Sequence, residues 1–202
     1  MTVRIAIIVE GGTEKAFEKT LRGFLSRQLP GEMPKLLFIT EDGRIPMGDR
    51  LRRDVERLLK TNDAVVALTD VYTGTQPHDF ETAADAKNKM RQWVGPEPRF
   101  HPHAAQHDFE AWLLAYWPTI QALARSNRVA PSSNPESVNH QKPPSKHLEE
   151  VFRSGQTKRS YSKIRDGVRI LRDQDLAVSA AVCPELECFL NTILVLCGAA
   201  KL

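Results

Sequence analysis

Residues 4–14 read Arg4-Ile-Ala-Ile-Ile-Val-Glu10-Gly-Gly-Thr-Glu14. A run of mostly β-branched apolar residues ends on a carboxylate, two glycines and a threonine follow, and an amphipathic segment begins. A short Val/Ile run bounded by glycine is the pattern of a buried strand. Its apolar residues are continuous rather than alternating, which suits a central parallel strand covered on both faces. Glu10 then stands at the carboxyl end of that strand, where open α/β sheets place their ligands.

Working outward, Thr13 is in position to cap a helix carrying Phe17, Leu21, Phe24, Leu25 and Leu29, with Pro30-Gly31 as the stop. Lys35 to Thr40 is a second strand and Glu41-Asp-Gly-Arg a turn. Asp49 is in position to cap a helix with Leu51, Val55, Leu58 and Leu59 on one face. Asp63 to Asp70 repeats the opening pattern, an apolar run closed by an acid. Val71 to His78 reads as a loop, and Asp79 as the cap of a third helix that buries Ala83, Ala86, Met90 and Trp93. Arg99 to Gln106 is a fourth strand; Pro102 makes it an edge strand or one with a bulge. A helix opens at His107-Asp108 and is expected to end at Pro118. Residues 126–145, rich in Ser, Pro, Asn and Gln, read as a long loop. Helical segments at 146–153 and 161–172 and an apolar helix at 184–197 complete the chain. The last of these, with Phe189, Ile193, Leu194 and Leu196, is either core or the interface of a homodimer. Alternating strands and helices over residues 1–106 argue for a mostly parallel four-stranded α/β sheet with helices on both faces. The expected organisation is a core over 1–125, a loop over 126–145 and a helical extension over 146–202 packed on the core.

The chain has 202 residues, 41% hydrophobic and 26% charged, an ordinary globular balance. No apolar run approaches the roughly 20 residues of a membrane span. No leader pattern precedes the first strand, and Cys183, Cys188 and Cys197 are an odd, unpatterned set, so the expectation is reduced thiols in the cytoplasm. The net charge is only +3, but Lys142 to Arg172 holds nine Lys or Arg against three acids, leaving the rest of the chain at −3. A basic segment on a slightly acidic body points to a polyanionic partner, or to a solvated helix face.

Three groups of acids fall at or just past strand ends: Glu10, Asp70, and the pair Asp108 and Glu110. In a parallel sheet those ends share one edge. Gathered carboxylates repel, and burial penalises their charge, so a divalent cation with oxygen ligands would relieve both costs. Each acid also has an ordinary reading. Glu10 can simply end a strand, Asp70 can cap its loop, Asp108 can cap the next helix, and Glu110 can be a solvated first-turn acid. Gly11, Gly12 and Thr13 before a helix offer backbone N–H groups to a phosphate, although neither a P-loop nor GxGxxG is present.

Val9-Glu10-Gly-Gly-Thr-Glu14-Lys-Ala-Phe17 resembles the opening motif of Toprim domains, found in topoisomerases, primases and OLD-type nucleases. The chain as a whole resembles the Toprim-related family DUF4276. The further matching stretches are Leu68-Thr-Asp70-Val-Tyr72, Gln106-His-Asp-Phe-Glu110-Ala-Trp-Leu-Leu, Pro144-Ser-Lys146, and Tyr161-Ser-Lys163 with the distal Cys183-Pro184. The resemblance implies a Toprim-like (Rossmann-like) fold and a site for Mg²⁺ or Mn²⁺. Glu10 takes the place of the Toprim glutamate, as ligand or general acid/base, and Asp70 that of the first acid of Asp-x-Asp. Tyr72 replaces the second, so Glu110 is the choice for the missing ligand. Asp108 stands where the family usually has Glu. Lys146 and Lys163 would neutralise a substrate phosphate, and His107 would orient a ligand or move a proton. Tyr72 and Tyr161 are candidates for base or sugar contacts. The activity implied is that of a metal-dependent nuclease or phosphodiesterase acting on DNA or RNA, with an ABC-type ATPase partner in a phage-defence setting. The alternative is a non-catalytic scaffold that binds an ATPase or nucleic acid. A mononucleotide hydrolase would use the same acids.

Overall fold

β1 (Arg4–Val9) lies inside a fully parallel sheet, with β2 (Lys35–Thr40) on one side and β3 (Ala64–Asp70) on the other; β4 (Phe100–Ala105) pairs with β3, giving the order β2-β1-β3-β4. The structure is a computed structural model that describes residues 2–41, 43–72, 78–139 and 142–202, with residues 12–16 described by their backbone alone. Ile5 to Val9 are at most 1% exposed. Ile5, Ile7 and Val9 face one hydrophobic core and Ala6 and Ile8 the other. Side chains alternate faces along a strand, so a strand buried on both sides must be apolar throughout.

The first core holds α1 (Gly12–Gln28), through Phe17, Leu21, Phe24 and Leu25, together with the C-terminal helices. The second holds α2 (Asp49–Leu58), through Leu51 and Val55, and α3 (Ala83–Val94), through Ala83, Ala86 and Met90. Three expected caps move. Gly48, not Asp49, is the N-cap of α2, and Asp49 is the helix's first residue. Gly11, not Thr13, is the N-cap of α1, with no side-chain bond. Thr82, not Asp79, caps α3 by accepting from the Asp85 amide at 3.1 Å, while Asp79 pairs with Arg44. β4 is an edge strand, which is how the sheet accommodates Pro102.

The helix expected at His107 starts later. His107 has φ 70°, outside the helical region, so α4 covers only Glu110–Leu113. A 3₁₀ turn (Leu114–Tyr116) leads into α5 (Trp117–Ala124). Pro118 therefore opens a helix instead of ending one, as its fixed φ and missing N–H favour. The 126–145 stretch is not a plain loop. It contains a 3₁₀ turn (Pro135–Ser137) with Glu136 and Val138 buried, and α6 (Pro144–Ser154) begins inside it. α7 (Lys163–Leu171), the short α8 (Leu176–Ala180), which periodicity did not reveal, and α9 (Pro184–Leu196) follow. Leu186, Phe189, Leu190, Ile193 and Leu194 of α9 are buried in the first core, so this apolar face is core. Among the described residues no helix is long and apolar enough to cross a membrane.

Candidate functional site

Strand register brings the acids together. Val9 lies opposite Leu68 and Asp70 opposite Ala105, so β1, β3 and β4 end at one edge of the sheet. Glu10 is 7% exposed. Its Oε1 accepts the Thr69 hydroxyl and, at 3.1 Å, the Asp70 backbone N–H. The first helical turn after Gly11 begins at the same edge, beside Glu10 in the chain. Gly11 is extended there (φ −175°); the side chain of Thr13 lies outside the described residues, and Gly12 offers only backbone.

Asp108 and Glu110 are 3% and 1% exposed. Asp108 Oδ2 accepts the Ser145 N–H at 3.1 Å, and its Oδ1 takes no hydrogen bond. Ser145 is the second residue of α6, whose own N-cap, Pro143, supplies no side-chain bond. Asp108 thus caps α6 across the fold and does not cap the helix that follows it. Burial, and then the Glu110 carboxylate, push Asp108 from 3.8 up to about 7, against the Ser145 hydrogen bond. The Lys163 ammonium lies 3.3 Å from both oxygens of Glu110, while the lysine side chain stays 54% exposed. Burial pulls Lys163 down, but Glu110, Asp70 and Asp108 together hold it above its ordinary value. Tyr161 packs its ring on Phe152 at 5.6 Å and buries a hydroxyl beside Glu110. Burial, with Glu110, Asp108 and Asp166, pushes that phenol up, so it stays protonated and able to donate. Among the described residues the hydroxyl lies near the acid cluster without a hydrogen-bond partner of its own.

The other sequence candidates take different places. Lys146 lies on α6 with its ammonium 2.9 Å from Glu149, exposed and turned along its own helix. His107 is 8% exposed, and burial lowers its pKa, so its ring is neutral at pH 7. It packs on Tyr72 at 5.3 Å, and Tyr72 in turn stacks on His78 at 4.7 Å and accepts from Asn139 at 2.7 Å. The tyrosine at the second position of Asp-x-Asp is therefore part of an aromatic wall beside Asp70. Sequence reading missed Glu136, which accepts from the Trp112 indole at 3.0 Å and from the Glu185 amide at 3.1 Å, capping α9 as Asp108 caps α6. Its only sequence signal is an acid two residues before a valine that proves buried. The basic stretch is largely paired: Lys142 with Glu150, and Arg159, Arg165 and Arg169 with the fully buried Asp166.

Asp108 Oδ1 and Glu110 Oε1 are buried carboxylate oxygens without a hydrogen-bond donor, with the Lys163 ammonium as the nearby positive charge. That chemistry fits a hard cation such as Mg²⁺, which commonly takes one or two carboxylates and leaves other positions to water and substrate phosphate. Among the described residues no three His, Cys, Asp or Glu stand together so as to hold a metal ion, so the protein's direct ligands here would be the two carboxylates.

Comparison with curated proteins gives no match. Among solved structures, the C-terminal region of the Burkholderia pseudomallei OLD protein superposes with a TM-score of 0.52 at 11% identity, covering 96% of this chain and 99% of that one. The C-terminal region of the Xanthomonas campestris pv. campestris OLD protein gives a TM-score of 0.45 at 12% identity, covering 95% and 98%. At such identities the likeness to the Burkholderia structure is one of fold, and it agrees with the Toprim-like α/β architecture expected from the opening motif. A family model described as Domain of unknown function (DUF4276) matches residues 9–194, nearly the whole chain from the end of β1 to the last turns of α9, and the protein belongs to that family.

Proposed function

We propose that the chain is a divalent-metal-dependent phosphodiesterase acting on nucleic acid, a nuclease of Toprim type. The observation that carries this reading is the meeting of the buried pair Asp108 and Glu110 with the Lys163 ammonium at the sheet edge that also holds Glu10 and Asp70. Glu110 and Asp108 would hold Mg²⁺ or Mn²⁺, with Asp70 joined to it through water, and the cation when bound supplies positive charge at the phosphate and an activated water. Glu10, held by Thr69 and the Asp70 amide, is a fixed carboxylate for ligation or proton transfer. Lys163 lends a point charge to the phosphate. His107, buried with its Nδ1 unpartnered among the described residues, serves in this reading as a proton relay. The backbone N–H groups after Gly11, at the start of α1, would donate to a second phosphate oxygen. Lys146 belongs to this reading only if its pairing with Glu149 opens on substrate.

The test is cleavage of labelled single- and double-stranded DNA and RNA with Mg²⁺ or Mn²⁺ by wild type, Glu10→Ala and Asp70→Ala. Cutting by wild type and inert variants support the reading. Equal inertness of all three sinks it for the isolated chain, and repeating the assay with an ABC-type ATPase then separates a dormant nuclease from a scaffold. The scaffold reading is favoured by one observation, Tyr72 in place of an acid and tied to Asn139 and two histidine rings.

A further inference from the structure

Lys163 is the first residue of α7. A cation there opposes the helix dipole, whose positive end prefers anions, and partial burial of the ammonium adds a second cost. What offsets both is the carboxylate cluster: two oxygens of Glu110 at 3.3 Å, with Asp108 and Asp70 close enough to act on its charge. Glu110 is 1% exposed, and Oε1 has no hydrogen-bond donor, so this ammonium is its counter-charge. The Lys163 side chain, at 54% exposure, has a way out to solvent. A divalent cation on the same oxygens and an ammonium 3.3 Å from them would repel each other strongly in this low-dielectric setting.

We propose that Lys163 is a displaceable internal counter-ion: its ammonium and a divalent cation are alternative occupants of the Asp108–Glu110 cluster, and the lysine swings outward, towards the phosphate, when the cation binds. This rests on the metal-dependent reading above. It gives Lys163 two stations. In the metal-free chain it sits against both oxygens of buried Glu110 as their counter-charge. In the loaded chain it is released to meet substrate, so cation binding and phosphate capture are linked through one side chain.

The experiment is calorimetric titration of the metal-free full chain with Mn²⁺, for wild type, Lys163→Met and Lys163→Arg. It is paired with acylation of wild-type lysines followed by mass spectrometry, with and without saturating Mn²⁺. With its competitor removed, Lys163→Met binds Mn²⁺ about tenfold more tightly or better, and Lys163→Arg, whose guanidinium can grip both Glu110 oxygens, binds more weakly than wild type. In wild type, Mn²⁺ raises the labelling of Lys163 relative to Lys146. Should wild type bind Mn²⁺ while Lys163→Met binds it equally or less well, or should Lys163 labelling stay unchanged, displacement is refuted and the metal reading stands. Should no form of the protein bind Mn²⁺, both fall together. The labelling experiment needs no variant, so it decides even if Lys163→Met does not fold.

Discussion

Replacing Asp108 by Asn should stabilise the metal-free protein at alkaline pH. An aspartate in the unfolded chain ionises near 3.8, whereas in the fold burial and Glu110 keep Asp108 protonated up to about 7. Between those values the folded state holds a proton that the unfolded state has released, so stability falls as pH rises, and above 7 the full cost of ionising a buried acid is present. The interval corresponds to on the order of 4 kcal/mol. Asparagine keeps the shape, carries no charge, and can accept the Ser145 N–H with its oxygen while its amide group faces Glu110 as a donor. Urea unfolding in EDTA at pH 4.5, 6 and 8 is the assay. Asp108→Asn should match wild type at the lowest pH and exceed it by several kcal/mol at pH 8, with a flatter profile between. A variant no more stable than wild type at pH 8, or a gap that does not change with pH, would refute the reasoning. Stability gained by deleting a charged group is also the mark of a group kept for function.

Two further substitutions probe the frame around the site. Gly155→Ala would set a Cβ 2.1 Å from the Ala124 carbonyl oxygen, a backbone atom that cannot step aside, where α6 meets α5. The cost should be about 1–3 kcal/mol or more, read as a lower urea midpoint. Glu136→Ala strands the Trp112 indole N–H and the Glu185 amide, at about 1–3 kcal/mol for each buried donor, with a change in tryptophan fluorescence because Trp112 loses its acceptor.

Much of the sheet was legible because its determinants are local. Lys35–Thr40 and Ala64–Asp70 are strands where the apolar runs and turn residues put them, and α2 follows the turn as expected, although Gly48 and not Asp49 is its cap. Placing Glu10, Asp70 and Asp108 near one edge followed from strand ends in a parallel sheet. What failed was choosing among equivalent local signals. Asp79 and Thr82 are both good caps, and only packing against β4, where Gln106 accepts the Ala83 amide, selects the later start of α3. Pro118 can close one helix or open the next, and the non-helical backbone at Tyr116 (φ −98°, ψ 41°) decides it. The pairing of Lys163 with Glu110, 53 residues apart, and the burial of Tyr161 beside it depend on how α7 docks, which no periodicity records.

The two prolines that open α6 and α9 are each followed by an amide bound to a carboxylate from far upstream, Ser145 to Asp108 across 37 residues and Glu185 to Glu136 across 49. In both cases the acceptor precedes the helix in the chain. During synthesis from the N-terminus, each acid is already out of the ribosome when its helix emerges, so assembly has a direction: earlier segments supply the endings of later ones. A circular permutant that starts at residue 142 would reverse that order and leave both helices waiting, their first turns open, for partners not yet made.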